Sequence, residues 1–122
     1  MADSAVDIRN RTFVFACEVA KLAIGMQPRP GFRCIVDQLI RSATSIGANL
    51  EEAKAGSSRR EFVRYIEIAL REARETAYWL KICAALQLGP ADTLRSFAGE
   101  ADQIARILGA IAVKTRQHAP PN

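Results

Sequence analysis

The chain has 122 residues, of which 49% are hydrophobic, so it is long enough for one domain with its own core. Charged residues make up 25% and the formal net charge is +4, which argues against a disordered chain and against a membrane span. This mild positive charge favours an acidic partner such as nucleic acid without requiring one. Acids at Asp3 and Asp7 stand where a secretory signal would be basic, so we expect a cytoplasmic protein.

Two helices are predicted in the first half of the chain. Apolar residues recur at steps of three and four over residues 8–26, and prolines at Pro28 and Pro30 end that segment. A second helix is predicted over residues 32–55, with Gly56 ending it in a left-handed conformation. Its residues 42–48 are mostly small, which predicts close approach to a neighbouring helix. Gly47 costs about 1 kcal/mol of helix propensity relative to alanine, which indicates that packing compensates for it.

Two further helices complete the predicted fold. The third is expected over residues 58–88, with Ser58 and Glu61 forming a capping box. Gly89 is suited to end the third helix, and Pro90 is suited to begin the fourth. The fourth helix is expected over residues 91–117 and has the most regular apolar repeat. Short links make neighbours antiparallel, so we predict one all-α domain over residues 1–122, an antiparallel up-down four-helix bundle.

The sequence predicts neither a catalytic site nor a cofactor. The one histidine, His118, lies near the proline-rich end, and no glycine-rich phosphate loop is present. The cysteines have unrelated spacings and are interpreted as free buried thiols, not a zinc site: Cys17, Cys34 and Cys83.

Glutamates raise a second possibility, because four-helix bundles can hold carboxylate-bridged metals. The usual Glu-x-x-His motif is missing around these residues, which are Glu51, Glu52, Glu72 and Glu75. The favoured alternative is pairing with arginines, namely Arg41, Arg71 or Arg74. Within the third helix, Arg71 also lies four residues from both Glu67 and Glu75, and these pairs predict a solvated charged face.

Two sets of side chains are candidate sites. The first is a polar network or interface that either fixes helix register or binds a ligand or peptide; its members are Arg41, Asn49, Glu52, Glu72, Glu75, Tyr65 and Trp79. The second is a set of nucleic-acid contacts, namely Arg59, Arg60, Arg64, Arg71, Arg74 and Lys81. Beside them Tyr65, Tyr78 and Trp79 could stack on unpaired bases, although core edge or subunit contact is the favoured interpretation.

Short sequence pieces between Gln38 and Leu80 carry a family resemblance. They are Gln38-Leu39 with Arg41-Ser42, Ser45-Ile46 with Ala48-Asn49, Glu52-Ala53, Ser58 with Glu61-Phe62, and Ile68-Ala69 with Glu72-Ala73 and Glu75. With them the chain resembles, over essentially its whole length, the four-helix-bundle proteins that include those encoded in 23S ribosomal-RNA intervening sequences. The resemblance implies a left-handed bundle that forms homo-oligomeric rings, typically pentamers. A related branch, the accessory variability determinant of diversity-generating retroelements, implies binding to RNA or reverse transcriptase.

We therefore expect a non-enzymatic, oligomeric binding or assembly protein. Helices two and three carry further apolar residues outside the repeats that are expected to face the core, which predicts that these two helices form the ring contact. The residues are Val36, Ile40, Ala43, Tyr65, Ile68, Leu70 and Trp79. The alternatives are an RNA-binding or reverse-transcriptase accessory protein that uses a basic surface and, third, a carboxylate metal-binding bundle.

Overall fold

The computed structural model describes residues 4–26 and 30–118, with side chains from residue 8 onward. It contains four helices: α1 (Ser4–Ile24), α2 (Phe32–Ala55), α3 (Arg59–Ala85) and α4 (Ala91–Gln117). No strand occurs within these residues, so the all-α prediction is confirmed. Each helix packs against the next one in the chain, and α1 also meets α4, which closes the up-down bundle.

One continuous apolar core lies along the axis of the bundle. All four helices contribute to it, and its largest fully buried apolar side chains are Val19, Leu39, Ile46, Leu80, Leu94, Ile104 and Leu108. On α3 and α4 these alternate with buried alanines, which lets the two helices approach closely. Burying one such leucine or isoleucine contributes about 2 kcal/mol, so the core accounts for most of the driving force for folding.

The end of α3 differs from the prediction. The helix ends at Ala85 because Gln87, not a glycine, takes the left-handed conformation, with φ of 56°. The Leu88 amide donates to the carbonyl of Cys83 at 3.0 Å and the Gln87 amide to that of Ala84 at 3.1 Å, which is a Schellman motif. Gly89 instead lies against Met26, where an added Cβ would come within 3.3 Å of the methionine Cε.

The link between α2 and α3 confirms one cap and corrects another. Gly56 is extended, with φ of −64° and ψ of 150°, so the predicted left-handed cap is wrong. The extended backbone carries the chain directly to Ser58, whose Oγ accepts from the Glu61 amide at 3.1 Å. Ser58 is therefore the N-cap of α3, as predicted, and stabilises a helix end that α2 does not cover.

The small residues of α2 make different contacts with α3 and with α1. On the α3 side, the Thr76 hydroxyl donates to the Ser42 hydroxyl at 2.9 Å, and both side chains are fully buried, which confirms close packing. On the α1 side, a Cβ built on Gly47 would lie 3.5 Å from Thr12 Oγ1, an ordinary van der Waals distance. A methyl group fits there, so close packing does not explain Gly47.

Candidate functional sites

Arg41 of α2 is the centre of a polar network that joins α2 to α3. Its Nη1 donates to Glu72 at 2.9 Å, its Nη2 donates to Glu75, and its Nε donates to Gln38 at 2.9 Å. The Glu72 side chain is the most enclosed member, with 17% of its surface exposed. The guanidinium thus bridges two carboxylates one helical turn apart, and this fixes α2 against α3 at one register.

Trp79 extends this network toward solvent. Its indole Nε1 donates at 3.0 Å to Glu75 Oε2, the oxygen that also accepts from Arg41. The hydrogen bond with Glu75 raises the pKa of Arg41 above its ordinary value, and the charges of Glu72 and Glu75 add to this against the opposing effect of burial. The Arg41 guanidinium is therefore a permanent cation held between two carboxylates, an arrangement that positions Trp79.

Three predicted members of the network lie elsewhere. Asn49 bonds the carbonyl of Ser45 in its own helix at 2.8 Å, Glu52 is exposed, and Tyr65 lies half-buried beneath Arg64. Asn49 and Glu52 are eight and eleven residues beyond Arg41, roughly 12 and 16 Å along the helix axis. Their side chains cannot reach the carboxylates that Arg41 contacts, so the single network predicted from sequence is wrong in extent.

A row of cations runs along the solvent side of α3. Five exposed residues form it, and we call it the α3 stripe: Arg60, Arg64, Arg71, Arg74 and Lys81. At about 100° per residue these positions point away from the side of α3 that faces the core, and they span roughly 30 Å of helix. The exposed Tyr78 lies in the same row. Arg59, predicted with this set, instead donates to the backbone carbonyl of His118.

Three of the four acids of α3 bind arginines of neighbouring helices, which leaves the α3 stripe with a net positive charge. Glu72 and Glu75 bind Arg41 of α2, and Glu67 binds Arg116 of α4. Among the residues that the structure describes, no carboxylate lies in ion-pair contact with the α3 stripe. The predicted pairing of Arg71 with Glu67 and Glu75 is therefore wrong, because arginines from the neighbouring helices bind those glutamates.

A second apolar row, which sequence reasoning missed, lies on α1. Phe13 is 66% exposed and Ile24 is 82% exposed, and between them Cys17 and Ala20 complete steps of four, three and four. This row borders an open groove of about 390 Å³ between α1 and α2, floored by small residues including Gly47. The spacing was the available signal, but the stronger core seam of the same helix obscured it.

The apolar face expected on α2 and α3 is not exposed. Val36 and Ala43 are buried in the core, while Ile40, Tyr65 and Trp79 are half-buried against it. The remaining two, Ile68 and Leu70, are also half-buried. These side chains are therefore at least partly buried in the bundle, and the two most exposed large apolar residues among those described, Phe13 and Ile24, lie on α1.

An ion pair between α1 and α4 was also missed. Arg11 donates from Nε and Nη2 to the two carboxylate oxygens of Glu100, both at 2.7 Å, and Nη2 also donates to Gln103 at 2.9 Å. The hydrogen bond with Glu100 raises the pKa of Arg11. The partners are 89 residues apart in the chain, a separation at which sequence spacing carries no information.

The cysteines divide into two environments. Cys17 and Cys34 are exposed, so the prediction of buried thiols is wrong for them, and Cys83 is fully buried. Burial raises the pKa of the Cys83 thiol. Within residues 4–26 and 30–118, no cluster of three or more His, Cys, Asp or Glu side chains is placed to hold a metal ion.

These features define a class, that of four-helix-bundle proteins with charged and apolar surface rows. The chain belongs to the 23S rRNA-intervening sequence protein family, whose model matches residues 4–110. It is similar to a crystal structure of a protein of unknown function from the S23 ribosomal protein family of Bacteroides thetaiotaomicron. The two share 27% identity and a TM-score of 0.80, over 90% of this chain and 98% of the other.

Two negative findings complete this description. No curated protein matches the chain. None of the described helices is long and apolar enough to cross a membrane.

Proposed function

We propose that this chain is a cytoplasmic, non-enzymatic binding protein whose α3 stripe holds nucleic acid, with RNA as the preferred partner. The supporting observation is the charge pattern of α3, in which Glu67, Glu72 and Glu75 are neutralised by arginines of α2 and α4 while the cations of the α3 stripe contact no described acid. Nucleic acid is a linear polyanion, and a row of roughly 30 Å matches its shape better than it matches a small anion.

The family adds support to RNA in particular. Its name refers to sequences that interrupt 23S ribosomal RNA, and the similar Bacteroides protein is assigned to a ribosomal protein family. A reverse transcriptase, the partner implied by the resemblance to retroelement accessory proteins, is the alternative. RNA alone is the simpler proposal because α3 exposes one large hydrophobic residue, the aromatic Tyr78, and no large aliphatic residue on which a protein partner could pack.

Anisotropy titrations with a fluorescently labelled RNA at several salt concentrations test the proposal. If all five cations of the α3 stripe neutralise phosphates, log K should fall with log[salt] at a slope of about −3.5 for a single strand. Changing Arg64, Arg71 and Arg74 to Gln should weaken binding and reduce the slope by about 2.

A control of equal charge separates a site from general attraction. The triple change of Arg33, Arg106 and Lys114 to Gln alters the net charge equally at exposed positions outside the α3 stripe. It should leave most of the affinity and slope in place. Equal losses in both triple variants would contradict a site on α3, and RNA binding that is absent at low salt would remove the proposal.

Self-association through the α1 row is a second proposed function, favoured by the exposure of Phe13 and Ile24 beside the apolar groove. A second copy of the chain is the proposed occupant, and the resemblance makes a pentameric ring the expected assembly. Removing one exposed phenylalanine or isoleucine from water contributes about 2 kcal/mol, so several copies of this row would stabilise a ring.

Sedimentation at micromolar concentration tests this second function. Phe13→Ser should shift the protein toward monomer, whereas Val113→Ser, at an apolar position on α4 that is also more than half exposed, should not. A wild-type monomer under these conditions would refute it.

A further inference from the structure

We propose that the α3 stripe binds a single strand, with the ring of Tyr78 stacked on an unpaired base between phosphates held by Arg74 and Lys81. This rests on the proposed function, and it adds the class of nucleic acid and the residue that selects it. The inference is based on the position of Tyr78, an exposed aromatic ring within a row of cations. The ring packs against Trp79, whose orientation is fixed by a hydrogen bond.

The first observation is the place of Tyr78. It lies four residues after Arg74 and three before Lys81, so all three side chains project from the same side of α3. Tyr78 is 59% exposed, and the other described aromatic residues on α3 are half-buried. A ring flanked by cations along a helix presents a π-face beside phosphate-binding groups, the combination with which proteins hold single strands.

The second observation is what supports the ring. Tyr78 meets Trp79 edge to face, with ring centroids 5.5 Å apart and planes at 65°. Trp79 is held in turn by its hydrogen bond to Glu75, which Arg41 anchors to α2. The polar network therefore orients the aromatic pair before any ligand arrives, which reduces the ordering cost of stacking.

Base pairing decides between a single strand and a duplex. In a duplex, both faces of each base are covered by its neighbours, and an aromatic side chain on a convex helix surface reaches only the backbone and groove edges. An unpaired base exposes its face and can stack on Tyr78 whatever its identity. The α3 stripe should therefore bind single strands more tightly, with little preference for sequence.

Tyr78 variants and matched probes test this inference. The probes are a labelled 15-nucleotide oligo(U), a 15-base-pair RNA duplex, and an abasic strand of the same length. Tyr78→Ala should weaken oligo(U) binding about tenfold, while Tyr78→Phe should stay within about twofold. Binding of the duplex and the abasic strand should not change, because neither offers a free base. Val113→Ala, on α4, is the control for loss of an exposed apolar side chain outside both proposed sites.

Salt dependence distinguishes stacking from charge. Tyr78→Ala should leave the salt slope unchanged, because stacking releases no counterions, whereas variants of the α3 stripe arginines should reduce it. The single tryptophan provides a second readout, since a base on Tyr78 lies beside Trp79 and should quench its fluorescence in wild type and in Tyr78→Phe but not in Tyr78→Ala.

The outcomes separate this inference from the proposed function. If the arginine variants lose binding but Tyr78→Ala matches Val113→Ala, stacking is refuted and the α3 stripe remains a nucleic-acid site. Equal weakening of oligo(U), duplex and abasic strand by Tyr78→Ala would also refute stacking. If the wild-type protein binds none of the probes, both proposals fail.

Discussion

Replacing Gly47 with alanine should stabilise the protein, although glycine in a packed helix often marks an indispensable close contact. A Cβ at this position would meet Thr12 Oγ1 at 3.5 Å and the Phe13 amide nitrogen at 3.9 Å, so the added methyl group displaces nothing. Alanine is favoured over glycine inside a helix by about 0.8–1.0 kcal/mol. We expect Gly47→Ala to raise the free energy of unfolding by about 1 kcal/mol, and Tm by about 4 °C.

Urea denaturation followed by circular dichroism measures this change, and Gly99→Ala provides its control. Gly99 lies inside α4, and a Cβ there would meet nothing within 4 Å, so its variant reports helix propensity alone. The two gains should be similar. A gain at Gly99 accompanied by a loss at Gly47 would refute the reasoning, because it would mean that α1 lies closer to α2 than these distances allow. Sedimentation in parallel would separate folding from any change in self-association, since Gly47 lines the α1–α2 groove.

Two further experiments test the burial of Cys83 and the contact between α2 and α3. In a thiol titration at pH 8 under conditions where the chain is monomeric, the exposed Cys17 and Cys34 should react quickly, and Cys83 should react only after unfolding. Burial raises the Cys83 pKa, so its reactive thiolate fraction is lowered at every pH below that pKa; three fast thiols would contradict this. Arg41→Met should lower the free energy of unfolding by about 1 kcal/mol, because it leaves two partly buried carboxylates without their cation. Arg71→Met, which breaks no ion pair among the described residues, should change it by less than about 0.5 kcal/mol in the same urea assay.

The fold could be predicted from sequence because each helix carries its own apolar repeat. The bounds of α2 and α4 agree with the expected residues 32–55 and 91–117, where a glycine or proline stands at a helix end. The end of α3 could not be placed, because Gln87 adopts a left-handed conformation that its residue type does not favour. Local patterns therefore locate helices well and caps less well.

The candidate sites were only partly predictable, for a different physical reason. The sequence offers Glu72 and Glu75 among the possible partners of Arg41, and these two are the ones it binds. It also groups Asn49 and Glu52 with Arg41, because all three lie at or near the edges of the apolar side of the second helix. Contact between helices depends on which residues meet after antiparallel packing. The Arg41–Glu72 pair spans 31 residues of sequence. The exposed apolar row on α1 can be recognised only when it is known which side of that helix is buried.

The charge on α3 shows how a neighbouring helix can determine function. In an isolated α3, Arg71 would lie between Glu67 and Glu75, each one turn away, and the three together would carry a single negative charge. In the bundle Glu75 binds Arg41 and Glu67 binds Arg116, so two cations from other helices neutralise both acids and Arg71 keeps its charge. Packing thus converts a mixed helix surface into a cationic one. The same packing fixes Trp79 behind Tyr78, so the bond that holds α2 to α3 also prepares the surface that we propose for an unpaired strand.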